Sequence, residues 1–261
     1  MYQDGTKGQT RACYRCGRIE RQAVVAPTPR DTFADKVTHR QFVGAEDRFD
    51  VAAAATFNLL TTLGLRERHR LLDIGCGSLR IGRLLITYLD KGNYVGFDPN
   101  RWLVKEGIKN ETGADLIRIK GPRFILAAEP AMVDPELRFD YALASAIFIH
   151  MPMKLIRAWL EKTANCLGNN GALVATVRIG PDDYEGDDWV YPGQIHYRLE
   201  TMAKAAADFG FRFQQLDWRL PTSGFWAGHC WVLFSKPGFD TSWFGNASPT
   251  WNGRIDSDPT Y

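Results

Sequence analysis

The sequence predicts an α/β fold, a doubly wound sheet with helices on both faces. Three observations predict it. The stretch Leu71-Leu72-Asp73-Ile74-Gly75-Cys76-Gly77-Ser78-Leu79-Arg80-Ile81-Gly82-Arg83-Leu84-Leu85 passes from a short apolar run through a glycine turn to apolar residues spaced by three and four, which reads as strand, turn and helix. A second run, Asn93-Tyr94-Val95-Gly96-Phe97-Asp98, ends on a carboxylate about twenty residues beyond that turn. Strands and helices then go on alternating, which argues a mostly parallel sheet.

Taken in order, residues 1–40 carry several glycines, prolines and arginines with little apolar period, and are expected to be a poorly ordered arm or a wrap over the surface. From 43 to 65, Phe49, Val51, Ala52, Ala55, Thr56, Leu59, Leu60 and Leu63 recur at helical spacing and Gly64 closes the helix. After the first two strands, residues 101–112 read as a helix, 122–126 as a short third strand, and Phe139 to Ser145 as a buried fourth strand. Residues 155–167 form a helix stopped by Gly168-Asn169-Asn170-Gly171, and 172–177 a fifth strand. The irregular stretch 179–197 is long for a connection in a compact domain, and such loops are more often functional than idle. Residues 198–209 read as a helix, 211–218 and 230–235 as the last two strands, and 237–261 as a tail without period. The domain is therefore expected over 41–236.

Composition narrows the function classes. At 261 residues, one α/β unit of about 200 residues with tails fits. A net charge of +2 without a basic block argues against nucleic-acid and membrane-surface partners. No apolar run approaches the about 20 residues of a membrane span and no signal-peptide centre is present, so a cytoplasmic protein is expected. The five cysteines are scattered, and Cys13-Tyr14-Arg15-Cys16 lacks the second ligand pair of a zinc ribbon, so no metal is expected. The aspartates of 179–197 lack the spacing of a calcium loop.

Glycines at 75 and 77 permit torsions that side chains forbid and let a ligand approach the main chain, while a helix start offers N–H groups to an anion. The dinucleotide fingerprint would need glycine where Arg80 stands, which counts against NAD. A phosphate loop would need Lys and a hydroxyl where Arg83 and Leu84 stand, which counts against ATP and GTP.

Leu72-Asp73-Ile74-Gly75-Cys76-Gly77-Ser78, followed by a strand ending in Asp98, resembles the first and second motifs of the class I S-adenosylmethionine-dependent methyltransferases. The resemblance covers about residues 43–236. It implies a Rossmann-like, seven-stranded sheet with an antiparallel last strand, and S-adenosylmethionine as cofactor. It places cofactor contacts at Asp73, Gly75, Cys76, Gly77, Asp98, Pro99 and Ser145, with Asp98 on the ribose hydroxyls. Glu129 would lie near the adenine, and Val43, Gly44 and Arg48 of the pre-domain helix near the methionine end. Ala146-Ile147-Phe148-Ile149-His150-Met151-Pro152 resembles the fourth motif of small-molecule methyltransferases. It lacks the Asn/Asp-Pro-Pro-aromatic sequence of amino-group enzymes acting on bases and glutamine, and the aspartate of metal-dependent catechol-type enzymes.

A sulfonium methyl is already electrophilic, so such an enzyme mainly aligns a nucleophile and excludes water. A protonated oxygen or nitrogen also needs a base, for which histidine suits neutral pH. His150 stands just beyond the fourth strand, where open α/β sheets bind ligands; the competing reading is an imidazole capping the next helix. His196 and His229 are the alternatives. Trp189, Tyr191 and Trp226 are candidates for an acceptor pocket or for packing. The expectation is metal-independent methyl transfer to an oxygen, or nitrogen, of a small molecule such as a saccharide or secondary metabolite, by a chain that acts alone or as a homodimer. The alternatives are a non-catalytic cofactor-binding partner subunit and a nucleotide-sugar or NAD enzyme on a related fold.

Overall fold

The structure, a computed structural model, describes residues 37–218 and 229–242. The expectations for the Cys13/Cys16 pair, Trp226, and the tail beyond 242 lie outside these residues. Seven strands, β1 (Leu71–Ile74), β2 (Tyr94–Phe97), β3 (Arg123–Ile125), β4 (Phe139–Ala144), β5 (Leu167–Arg178), β6 (Arg212–Leu216) and β7 (His229–Ser235), form one sheet in the order β3-β2-β1-β4-β5-β7-β6. The first five run parallel, and β7 is antiparallel to both β5 and β6. The order reverses between β1 and β4, and a doubly wound sheet binds ligands at such a switch point.

The central strands are apolar on both faces because helices cover both. On one face Ile74, Ala144, Val177 and Phe234 pack with residues of α6 (Met153–Cys166) and α7 (Leu199–Asp208), where Phe97 meets Trp159 edge-on with ring centres 4.8 Å apart. On the other, Leu71, Leu143, Val174 and Leu233 pack with Leu59 and Leu60 of α2 (Phe49–Thr62) and Leu85 of α3 (Gly82–Tyr88). Burying such side chains contributes about 1.5–3 kcal/mol each.

Several elements differ from the sequence reading. Within the expected arm, residues His39–Phe42 form a helical turn, α1, held by a reciprocal cap: Gln41 N–H donates to Thr38 Oγ1 at 3.1 Å and Thr38 N–H to Gln41 Oε1 at 3.0 Å. The helix after β2 is α4 (Arg101–Gly107), which widens into a π turn over Ile108–Thr112 and resumes as α5 (Gly113–Lys120). Gly113 has φ +75°, and Ile117 is the one buried side chain of α5, so its apolar period is faint. β5 begins at Leu167, and its pairing with β4 shifts register between Phe139 and Tyr141. Gly168 to Gly171 therefore lie in a bulged strand and not in a turn. Phe239, expected in the tail, is buried against Tyr141.

Candidate active site

The turn after β1 is built by its glycines. Gly75 and Gly77 have φ of +72° and +51°. The side chain that approaches Gly75 is the protein's own: a Cβ there would lie 2.1 Å from Ile147 Cδ1, and one at Gly77 2.9 Å from Val43 Cγ1. The turn's amides are also used internally. Gly75 and Cys76 N–H both donate to Phe97 O, at 2.7 and 3.1 Å, and Gly77 N–H donates to Asp98 Oδ2 at 2.9 Å. α3 starts at Gly82, later than the expected helix directly after Ser78. The turn is thus not an anion cradle; its amides fix the end of β2.

Asp98 is the group this arrangement positions. Its second oxygen, Oδ1, accepts the Asn100 N–H at 2.7 Å, and the residue is 5% exposed. Burial pushes its carboxyl up to about 6, against the pull of these backbone N–H groups. Each oxygen retains acceptor capacity. A pair of neighbouring hydroxyls, as on a ribose, would donate to this pair of acceptor oxygens. Asp73 lies buried and accepts the Tyr94 hydroxyl at 2.7 Å, and burial pushes it up to about 7. Cys76 and Ser145 are also buried and Pro99 is exposed.

A roof crosses this turn. Buried Arg80, the residue that breaks the dinucleotide pattern, donates from Nη1 to Val43 O at 2.7 Å and so fixes the end of α1 over the loop. Burial lowers the Arg80 pKa to about 10, with Asp73 opposing. Phe42 packs edge-on against Trp102 of α4, with centres 5.2 Å apart, and against Tyr191, whose hydroxyl donates to Phe42 O. At the far side of α1, Arg40 grips Glu111 of the π turn with two hydrogen bonds of 2.7 and 2.9 Å, and His39 adds a third at 2.8 Å.

His150 closes the other side. Its Nδ1 lies 3.0 Å from Val190 O and 2.6 Å from Gly193 O; both are acceptors, so the ring proton sits on Nδ1 and Nε2 carries the lone pair. Burial lowers its pKa below 6.5, which keeps the ring neutral at pH 7. Tyr191 packs on it at 5.1 Å and Trp189 at 5.8 Å. His150 does not cap α6, whose N-cap is Pro152.

Contacts link these residues in a chain: Val43 lies over Gly77, Gly77 holds Asp98, and Tyr191 bridges Phe42 to His150, on which Trp189 also packs. His229 joins them through Gln194, whose Oε1 accepts from its Nε2 at 3.0 Å. Three further candidates make other contacts. His196 packs over Gly180 and pairs with Asp182 at 2.8 Å, lining an open groove of about 690 Å³ with Asp183 and Arg198. Arg48 turns to Asp47 at 3.1 Å. Glu129 is exposed and its carbonyl serves the 3-10 turn Pro130–Met132. Gly44 ends the turn after α1, with φ +136°, and its N–H donates to Gln41 O. The sequence reading had no signal for Phe42, Trp102 and Gln194, which enter only by tertiary contact.

Residues 72–173 match a family model described as a methyltransferase domain. The fold is similar to that of magnesium protoporphyrin IX methyltransferase from Synechocystis PCC 6803, solved with bound S-adenosylhomocysteine, at 15% identity and a TM-score of 0.56, covering 77% of this chain and 88% of that one. It is similar to a putative O-methyltransferase from Nostoc punctiforme PCC 73102 at 17% identity and a TM-score of 0.55, covering 75% and 59%. It is also similar to the pyocyanin biosynthetic protein PhzM at 12% identity and a TM-score of 0.51, covering 73% of this chain and 55% of that protein, so the chain spans about half of PhzM's length.

Proposed function

We propose, from the match of residues 72–173 to a methyltransferase-domain model and the likeness of the fold to S-adenosylmethionine-dependent enzymes, that the chain transfers a methyl group to an oxygen or nitrogen of a small molecule such as a saccharide or secondary metabolite. The observation that carries the reading is the buried Asp98 carboxylate, locked to the glycine turn by Gly77. S-adenosylmethionine, when bound, supplies an electrophilic sulfonium methyl. Asp98 would accept hydrogen bonds from the ribose hydroxyls, and Val43, Phe42 and Tyr191, which roof the turn, would exclude water. His150, with Nδ1–H held by two carbonyls, offers Nε2 to take the proton from the acceptor's hydroxyl or amine. The fixed Nδ1–H orients the ring, as an accessory carbonyl does in other histidine bases.

Calorimetric titration with S-adenosylmethionine and S-adenosylhomocysteine tests this. Micromolar binding by the wild type and a loss of roughly tenfold or more in Asp98→Ala are expected, the worth of a pair of charge-assisted hydrogen bonds. Absence of binding by the wild type would overturn the reading.

A further inference from the structure

Arg178 is the last residue of β5 and stands opposite His229 of β7 in the antiparallel register. It is half-buried. A guanidinium presents a planar fork of donors that matches a carboxylate or phosphate in two parallel hydrogen bonds. Among the described residues no carboxylate pairs with Arg178: its contact is with a neutral amide, Nη1 donating to Gln194 Oε1 at 2.9 Å. Of the acids in the neighbouring loop, Asp182 pairs with His196 at 2.8 Å and Asp183 with Arg198 at 2.6 Å, while Glu185, Asp187 and Asp188 are exposed and make no ion pair with Arg178.

Among the described residues, the side chains that meet Gln194 add no negative charge. His229 shares Gln194 Oε1, and burial, then Arg178, then His150 push its pKa down to about 4, so it is neutral. His150 is hydrogen-bonded to Gly193 O, the residue before Gln194. Thr176, two residues earlier on the same side of β5, accepts from Ala146 N–H at 2.6 Å and so ties the loop that carries His150 to this strand. Arg178 stands about 7 Å further along, at the rise of an extended chain. One N–H of its fork is used on Gln194, which fixes the plane of the group and leaves the rest of the fork for a bidentate partner.

We infer that Arg178, oriented by Gln194, binds an oxyanion group, carboxylate or phosphate, on the methyl acceptor. This rests on the methyltransferase reading and narrows it: the acceptor is an anion, held by its charged substituent at the end of β5.

The full chain, loaded with S-adenosylhomocysteine, is titrated with benzoate, phenyl phosphate and benzamide by ligand-observed NMR. At least one anion is expected to bind about tenfold or more tightly than benzamide. The tighter of the two assigns the carboxylate or the phosphate. Arg178→Gln should level the anions with benzamide, and Arg178→Lys should restore part of the preference. S-adenosylhomocysteine affinity should be the same in all three proteins, which reports that each is folded. Equal binding of anions and amide by the wild type, or a preference that survives in Arg178→Gln, would overturn the inference. If S-adenosylhomocysteine fails to bind, the cofactor reading falls alone, because the same anion series is then read on the unloaded chain.

Discussion

The backbone N–H of Gly77 donates to Asp98 Oδ2 across 2.9 Å, so the conformation of the glycine turn and the placing of the carboxylate are one decision. Burial puts the Asp98 pKa at about 6, above the ordinary 3.8, and the ionised form is the better acceptor for ribose hydroxyls. As pH falls through about 6 the ionised fraction falls with it. S-adenosylhomocysteine is therefore expected to bind roughly tenfold more weakly at pH 5 than at pH 8, and Asp98→Asn to bind weakly at both. A flat calorimetric profile for the wild type would count against Asp98 as the ribose acceptor.

The same burial has a stability consequence. Asp73 and Asp98 are raised to about 7 and about 6 from 3.8, so the folded state holds these protons more tightly than the unfolded chain. Their favourable contribution is complete below about pH 4 and lost as pH rises through 6 to 7. Urea unfolding without cofactor should show stability falling over that window, and Asp73→Asn should flatten the fall by on the order of 1–3 kcal/mol.

His150→Gln is expected to lower the transfer rate by about 10²–10⁴-fold while leaving S-adenosylhomocysteine binding unchanged. Because burial lowers the His150 pKa, the acid limb of the wild-type rate profile should lie below pH 6.5, with activity rising as the ring loses its proton. An unchanged rate in the variant would move the base elsewhere, and His229, already neutral, would be the next to test.

Gly75→Ala combines a φ of +72° with a Cβ only 2.1 Å from Ile147 Cδ1. A loss of about 1–3 kcal/mol is expected. Thermal unfolding should show it as a fall of several degrees, about 2–4 °C for each kcal/mol in a domain of this size. Measured against Ile147→Ala alone, the Gly75→Ala change should cost less than it does in the wild type, since the clash is gone and its torsional cost remains.

Much of this was legible in the sequence, and the limits have physical causes. β1, β2 and Asp98 were readable because an apolar run, a glycine pair and a terminal acid are local signals. The seven strands follow the alternation of local periods. α1 escaped because four residues make no period, although Thr38 and Gln41 carry the spacing of a reciprocal cap. The start of β5 was hidden because glycines and asparagines read alike in a turn and in a bulge. In the site, His150 was found by its place after β4, but its tautomer depends on Val190 and Gly193, some forty residues on, which no local pattern reports. Arg48 and Glu129 sit at suitable positions in sequence, and only the fold shows them turned to Asp47 and to the surface.

The contact between the Tyr191 hydroxyl and Phe42 O joins chain segments 149 residues apart above the glycine turn. Its consequence is kinetic. On the proposed reading, release of S-adenosylhomocysteine requires these two segments to part, so Tyr191→Phe is expected to speed its dissociation in stopped-flow measurements.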